Sequence, residues 1–428
     1  MRNNIFNTFF ILSLIVVISN FVSCSSKDKT HYSELSSKKT GIDFINKLEE
    51  SETFNIMDYL YFYNGGGVAA GDINNDGLLD LFFTSNQNEE KLYLNQGDLK
   101  FKDITKSAEI AGESGTNKWT TSATMVDINA DGYLDIYVCE VNGYLHLKGR
   151  NRLYINNGDL TFTERAAEYG LDLATYSQQA AFFDADSDGD LDLFLLNHAV
   201  HTPNSYKNAE IRKIKDSLAG DLFFINKNGK FIESTEESGI YSGSTGYGLS
   251  VSIADINNDT FPDIYVGNDF HENDYLYYNN GDGTFEEAIK ESTKHNSTFT
   301  MGIDISDLNN DGWLDIFSLD MKPNDEIVFK RSAGIDPYNI YNYKLDFGYH
   351  YQYARNMLQL NRGHLLDSTK VAFSELGELK GLSATDWSWN VSIADMNNDG
   401  FKDIFITNGI PRRPNDLDFT KYTADKVS

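Results

Sequence analysis

Short apolar runs recur along this chain, and each one follows the same kind of polar segment. The runs are Leu81–Phe83, Ile136–Val138, Leu193–Leu195, Ile264–Val266, Ile316–Phe317 and Ile404–Ile406. They are β-branched or aromatic, too short for helices and bounded by turn formers, which predicts strands. A second small-residue or β-prone run leads into each polar segment: Gly67–Gly71, Ser122–Val126, Gln179–Phe183, Leu249–Ala254, Met301–Ser306 and Asn390–Ala394. After the first five segments comes a third pattern, at Leu92–Gly97, Leu153–Gly158, Phe223–Gly229, Leu276–Gly281 and Leu358–Gly363. In the first four of these an aromatic residue follows, Phe101, Phe162, Phe231 and Phe285. Strand, Asn/Gly turn, strand is a hairpin signal. One unit is therefore expected to supply four antiparallel strands, as a propeller blade does.

The polar segment itself reads D-x-[ND]-x-D-[GT]-x-x-D. Its oxygen-bearing residues are Asp72, Asn74, Asp76 and Asp80 in the first copy and Asp127, Asn129, Asp131 and Asp135 in the second. The third and fourth copies supply Asp184, Asp186, Asp188 and Asp192, then Asp255, Asn257, Asp259 and Asp263. The fifth and sixth supply Asp307, Asn309, Asp311 and Asp315, then Asp395, Asn397, Asp399 and Asp403. Oxygens at positions 1, 3, 5 and 9 match the front of a calcium loop, and Gly at position 6 suits a sharp turn. Position 12 is apolar except for Ser318, and no helix signal follows, so these are not EF-hands. For a single copy, an Asx-rich turn without metal is an equal reading. Six copies with at least three carboxylates each favour Ca2+, because a divalent cation relieves the repulsion between them. The fourth copy departs from the pattern, with Thr260 in place of Gly and Pro262 before Asp263, so its turn is expected to be strained or different.

Repetition at this length marks an architecture whose units stack, since one unit cannot bury its apolar face alone. The intervals after Asp184 and after Asp307 are the longest, so insertions are expected in the third and fifth units. The sixth unit lacks its hairpin. Either the N-terminal stretches Gly41–Phe44 and Asp58–Phe62 close a ring, or the protein continues beyond this chain.

The acidic loops paired with the L-Y-x-N-x-G hairpins resemble the FG-GAP/VCBS repeat family. The pairing looks like the branch of cartilage acidic proteins and bacterial proteins with an ASPIC/UnbV segment. The resemblance covers roughly residues 41–410. It implies an all-β propeller of six or seven four-stranded blades with calcium loops, as in integrin α-subunit heads. It says little of function, because such folds carry many functions.

Composition adds compartment and anchor. The formal net charge is −28, from 64 acidic and 36 basic residues. Six divalent ions would bring it to about −16. An acidic surface repels phosphate backbones, which argues against nucleic acid as a partner. Arg2, the apolar run Phe9–Ile18 and Val22-Ser23-Cys24 read as a lipoprotein signal over residues 1–23, with Cys24 as the lipidated residue. Phe21 departs from the usual Leu of that motif. Residues 24–40 read as a polar tether and 411–428 as a linker. The expected location is a bacterial outer membrane or cell surface, held there by the lipid alone. Cys139 is the only other cysteine, so lipidation of Cys24 leaves no disulfide within the chain.

No catalytic motif stands out. His198 and His201 have i, i+3 spacing, but Pro203 separates them from the helix expected over Ala209–Leu218. Their surface-loop reading outweighs a metal pair. Trp119, Trp387 and Trp389 precede acidic loops and are expected to pack between sheets. The second insertion, Asp320 to Arg355, is rich in tyrosine. Its Tyr338, Tyr341, Tyr343, Tyr349, Tyr351 and Arg355 are candidates for contact with a glycan or protein ligand. Packing over a neighbouring blade is the structural alternative. The functional expectation is a calcium-stabilised surface binding module without catalysis. The alternative is a polysaccharide lyase or hydrolase, which needs Lys330, Arg331, His350 and Arg355 in one cleft.

Overall fold

The computed structural model of the protein describes residues 32–110, 115, 117–200, 207–332, 336–365 and 369–427. Cys24, the apolar run before it and His201 lie outside those residues. All strands belong to one compact unit, Ser37–Ser428.

Among the described residues the four-strand unit is present five times. The first sheet comprises β1 (Val68–Gly71), β2 (Asp80–Phe83), β3 (Lys91–Asn95) and β4 (Phe101–Asp103). The second comprises β5 (Thr120–Val126), β6 (Asp135–Glu140), β7 (Arg152–Asn156) and β8 (Phe162–Glu164). The third comprises β9 (Ser177–Phe183), β10 (Asp192–Asn197), β11 (Leu222–Asn226) and β12 (Phe231–Glu233). The fourth comprises β13 (Gly248–Ala254), β14 (Asp263–Asn268), β15 (Tyr275–Asn279) and β16 (Phe285–Glu287). A short β17 (Asn296–Ser297) precedes the fifth sheet and pairs in parallel with β20 (Gln352–Tyr353). The fifth sheet itself comprises β18 (Ile303–Ser306), β19 (Asp315–Ser318), β21 (Met357–His364) and β22 (Val371–Glu375). The last sheet has two strands, β23 (Ser388–Ala394) and β24 (Asp403–Asn408).

One register unites the hairpins. The motif asparagine faces an aromatic residue in every case: Asn95 opposite Phe101, Asn156 opposite Phe162, Asn226 opposite Phe231, Asn279 opposite Phe285 and Asn361 opposite Phe373. The fifth hairpin hid its aromatic partner in the sequence because its turn is longer, displacing Phe373 from the usual spacing.

The sheets stack in chain order through their first strands, β1 beside β5, then β9, β13, β18 and β23. Between each pair of neighbours lies an apolar cluster. Phe82 and Leu92 meet Ile136 and Tyr154, and Tyr137 and Leu153 meet Leu193 and Phe224. Phe194 and Phe223 meet Val266 and Tyr277, and Leu276 meets Ile316 and Phe373. Phe317 and Leu358 meet Val391 and Ile393. The inner sheets are apolar on both faces because a neighbouring sheet covers each face. β6, β10 and β14 are accordingly buried at every residue, which is why they read as unbroken apolar runs. β24, with no third strand beside it, is half exposed. The arrangement is all-β and propeller-like.

Residues 54–62 differ from expectation. They form turns, not a strand that pairs with the last sheet. Phe54, Tyr59, Tyr61 and Phe62 are buried in one cluster with Trp119 of the second sheet, Leu249 of the fourth, Met301 before the fifth and Trp389 of the sixth. An aromatic plug thus gathers the starts of several first strands. Arg412 Nη1 sits 2.6 Å from Glu50 Oε2, tying the segment after β24 to the one before the plug.

Other expectations change in detail. The tether ends early, since Ser37–Thr40 form a helical turn with Thr40 buried. The helix expected over Ala209–Leu218 is a 3-10 segment confined to Ala209–Lys213. The C-terminal stretch read as linker carries a helix at Leu417–Val427.

Candidate metal loops and ligand cleft

Each acidic loop joins the first strand of a sheet to its second, so all six lie at one end of their sheets. Their geometry repeats. In the first loop Asp72 accepts N–H bonds from Asp76 (3.1 Å) and Gly77 (2.7 Å), and Asp76 accepts one from Leu78 (2.9 Å). Two residues per loop take left-handed backbone, at positions 4 and 6. In the first loop these are Asn75 (φ 59°) and Gly77 (φ 85°). Position 4 was read as variable; its left-handed backbone explains why Asn fills it in four copies. In three loops that Asn also donates to the next loop's position-6 carbonyl: Asn75 to Gly132, Asn258 to Gly312 and Asn310 to Gly400. The fourth loop keeps the common shape. Thr260 adopts φ 81° and donates to Asp255 Oδ2 at 2.9 Å, so its turn is strained but not different.

The four expected ligand positions divide into two kinds. Positions 1, 3 and 5 crowd the loop rim. Position 9 is buried in the first five loops and holds backbone. Asp80 accepts from Ile73 N (3.0 Å) and from Asn95 N (2.7 Å), joining its own loop to the start of the hairpin turn. Asp135, Asp192, Asp263 and Asp315 repeat both bonds, and Asp403 repeats the first. Each carboxylate oxygen retains a further lone pair. Burial pushes Asp263 up to about 7 and Asp135, Asp192 and Asp315 to about 6, against the pull of those N–H bonds. A divalent cation nearby would oppose that push.

The third loop fits a cation best. Carboxylate oxygens of Asp184, Asp186 and Asp188 lie within 4.8 Å of one another. Elsewhere position 3 is Asn, and in four of those five loops its Nδ2 donates to the position-5 carboxylate, as Asn74 does to Asp76 at 3.0 Å. Asp186 cannot donate. Asp184 Oδ1 is buried without a hydrogen-bond partner, whereas Asp72 Oδ1 accepts from Asp76 N. An orphaned oxygen among three carboxylates is the donor set a hard cation such as Ca2+ takes. Residues at positions 1, 3 and 5 would hold the ion, position 9 would brace the loop, and the ion's charge would screen the carboxylates from one another.

The two insertions join second strands to third strands, so they lie at the opposite end of the sheets. There they dock on each other. Ala209 N donates to Phe347 O at 2.9 Å, and Tyr349 Oη donates to Lys207 O at 2.7 Å. Arg212 enters between the rings of Tyr241, Tyr275 and Tyr349, at 5.6–5.9 Å, and pairs with buried Glu272. Tyr349 is thus a packing residue. His198 is buried against the plug, with Nε2 2.9 Å from Tyr59 Oη, and burial pushes it down to about 3. That makes it a neutral core histidine and overturns the surface-loop position expected for it.

Beside the second insertion a cleft of about 440 Å³ is lined by Tyr338, Tyr341, Tyr353, Arg355, Lys322 and Glu378, with Gln352, Thr298, Phe329, Asp336 and Ala354 completing its wall. Of the candidate ligand residues, Tyr338, Tyr341 and Arg355 meet here. Tyr343 and Tyr351 are exposed elsewhere, in ring contact with Phe347 and His350. Gln352, Lys322 and Glu378 were missed. Lys322 and Gln352 lie within the insertion, near its start and in β20, and Glu378 follows β22; nothing local in the sequence marks them. The four residues required by a lyase are not assembled. Lys330 pairs with Glu326, Arg331 with Asp416 and Asp418, and His350 is buried, pushed down to about 4.

Residues 57–138, 144–195 and 255–318 match the FG-GAP-like repeat. Cartilage acidic protein 1 of Xenopus tropicalis is 28% identical over 147 residues, which cover 33% of this chain and 21% of that protein. The matched stretch thus spans about a fifth of the relative's length. Among solved structures, an Agrocybe aegerita lectin that recognises non-reducing terminal N-acetylglucosamine superposes with a TM-score of 0.37 at 14% identity, over 79% of this chain and 70% of the lectin. The V. cholerae biofilm matrix protein Bap1 gives a TM-score of 0.29 at 12% identity, over 60% of this chain and 35% of that one. Neither likeness bears on function. The repeats matched in sequence are the same units that fold into the stacked four-stranded sheets, and the chain carries FG-GAP-like repeats between residues 57 and 318.

Proposed function

We propose that this chain is a binding module in which calcium braces one end of the sheets and a ligand is taken at the other. The observation that supports it is the separation of roles along the strands. The acidic loops occupy the β1–β2 type of connection, while the tyrosine-lined cleft sits on the opposite, β19–β21 connection. A rigid scaffold that carries long insertions at one end is a common way to present a binding site. The ligand is a glycan or a protein at the cell surface, bound without catalysis. Cys24 carries a lipid that holds the module at the bacterial outer membrane.

The test is retention of the full chain, in calcium, on a glycan array and on a panel of surface proteins. A ligand held by the wild type and lost in Tyr341→Ala/Arg355→Ala, at unchanged melting temperature, supports the reading. Equal retention by both proteins, or by neither, contradicts it. The anchor is checked by the fraction of full chain and of Cys24→Ser that sediments with membranes.

A further inference from the structure

We infer that the cleft beside the second insertion recognises an uncharged sugar ring, and rejects acidic ones. This rests on the reading that the cleft is a ligand site, and adds the class of ligand.

Three features converge. The first is shape. Tyr341 and Tyr353 lie nearly parallel, 29° apart with ring centroids at 6.2 Å, and Tyr338 stands 82% exposed at the rim. Flat aromatic faces suit the C–H faces of a pyranose, and about 440 Å³ is the volume of a small-molecule site.

The second is charge. Every ionised group at the cleft already has a partner. Lys322 Nζ is 2.9 Å from Glu378 Oε1, Arg355 Nη2 is 2.8 Å from Glu375 Oε2, and Asp336 Oδ2 is 3.1 Å from Lys344 Nζ. A uronate or sulfate would have to break one of these pairs to gain a cation, and would add to the charge of a chain that is already acidic.

The third is an unmet hydrogen bond. Gln352 is 4% exposed, and its Nε2 donates to Glu272 O at 2.6 Å. A carbonyl oxygen only accepts, so the amide's nitrogen is the end fixed there. Its oxygen, Oε1, is buried without a partner. Gln352 lines the cleft. A buried, unpartnered acceptor on a residue of a tyrosine-walled cleft calls for a hydroxyl or N–H donor, and sugar hydroxyls supply one without charge.

Calorimetric titration of the full chain in calcium tests this, with uncharged oligosaccharides (glucan, mannan, xylan and chitin fragments) run beside alginate and polygalacturonate fragments. The expected result is binding of at least one uncharged fragment, weakened about tenfold or more by Tyr341→Ala and held by Tyr341→Phe, at unchanged melting temperature. Binding led by the acidic fragments, and lost in Tyr341→Ala, would overturn the inference while leaving the cleft a ligand site. No binding by any fragment, or binding that the substitutions do not alter, would overturn the inference. If Tyr341→Ala/Arg355→Ala also leaves array and protein retention unchanged, the binding-module reading falls with it.

Discussion

Arg212 Nη2 lies 2.6 Å from Glu272 Oε1, and both side chains are almost wholly buried. The pair joins the first insertion to the fourth sheet, and the ring of Tyr349, from the second insertion, packs over the same guanidinium. Burial pushes Glu272 up from the usual carboxylate range, and the guanidinium opposes that push. Removing one member leaves a buried charge without its counterion. Arg212→Ala is therefore expected to lower stability by about 3–5 kcal/mol in urea unfolding. A loss below about 1 kcal/mol would mean the pair does not latch the insertions.

Asp221 sets a pH dependence. Its Oδ1 accepts the N–H of Asn197 at 2.9 Å, and burial pushes it up to about 8. The folded protein therefore binds a proton there that the unfolded chain, near 4, releases. Between those values stability falls as pH rises, and above about 8 it levels off. Asn151 and Asn356 make the same bond, to Glu140 N and Asp320 N, with no charge to bury. Asp221→Asn should remove this contribution and raise stability by roughly 2–4 kcal/mol at pH 8, with little gain at pH 4. Urea midpoints at the two pH values check it; an equal shift at both would refute the assignment.

The two kinds of loop aspartate should separate experimentally. Asp188 stands on the rim of the most acidic loop, and Asp188→Ala is expected to lower the melting temperature in calcium but not in EGTA. Asp263 accepts two backbone N–H groups and is buried. Asp263→Ala should cost about 2–4 kcal/mol in both conditions, because it strands two buried donors.

Thr260 occupies the left-handed position that Gly fills in the other five loops. Thr260→Gly should relieve that strain and raise stability by about 1 kcal/mol in urea unfolding. A loss of stability would show that the threonine side chain, not the backbone, decides the site.

Much of this was legible because it is local. Turn chemistry, strand period and the Asn–aromatic register recur within a few residues, so six loops and the first four hairpins could be read directly. The fifth hairpin slipped only where its turn lengthens before Phe373. What could not be read depends on distant partners. Tyr59 and Phe62 look like strand residues, yet several sheets compete to bury them, and they become a plug. Tyr349 resembles its exposed neighbours in sequence, but Arg212, far upstream, draws it into packing. Gln352 has no signature, since what singles it out is an oxygen left without a partner once its amide nitrogen binds the carbonyl of Glu272, 80 residues away. The position-9 aspartates were read as ligands from spacing; their backbone bonds, repeated at Asp80 and its counterparts, emerge only with the hairpin in place.

The most direct test of the account is thermal unfolding of the full chain in millimolar calcium and again in EGTA. The account predicts a clear rise in melting temperature with calcium, growing with its concentration as linkage requires, and a smaller rise in a variant carrying Asp184→Ala and Asp188→Ala. The same melting temperature in both conditions would contradict it, leaving the acidic loops as hydrogen-bonded turns that hold no ion.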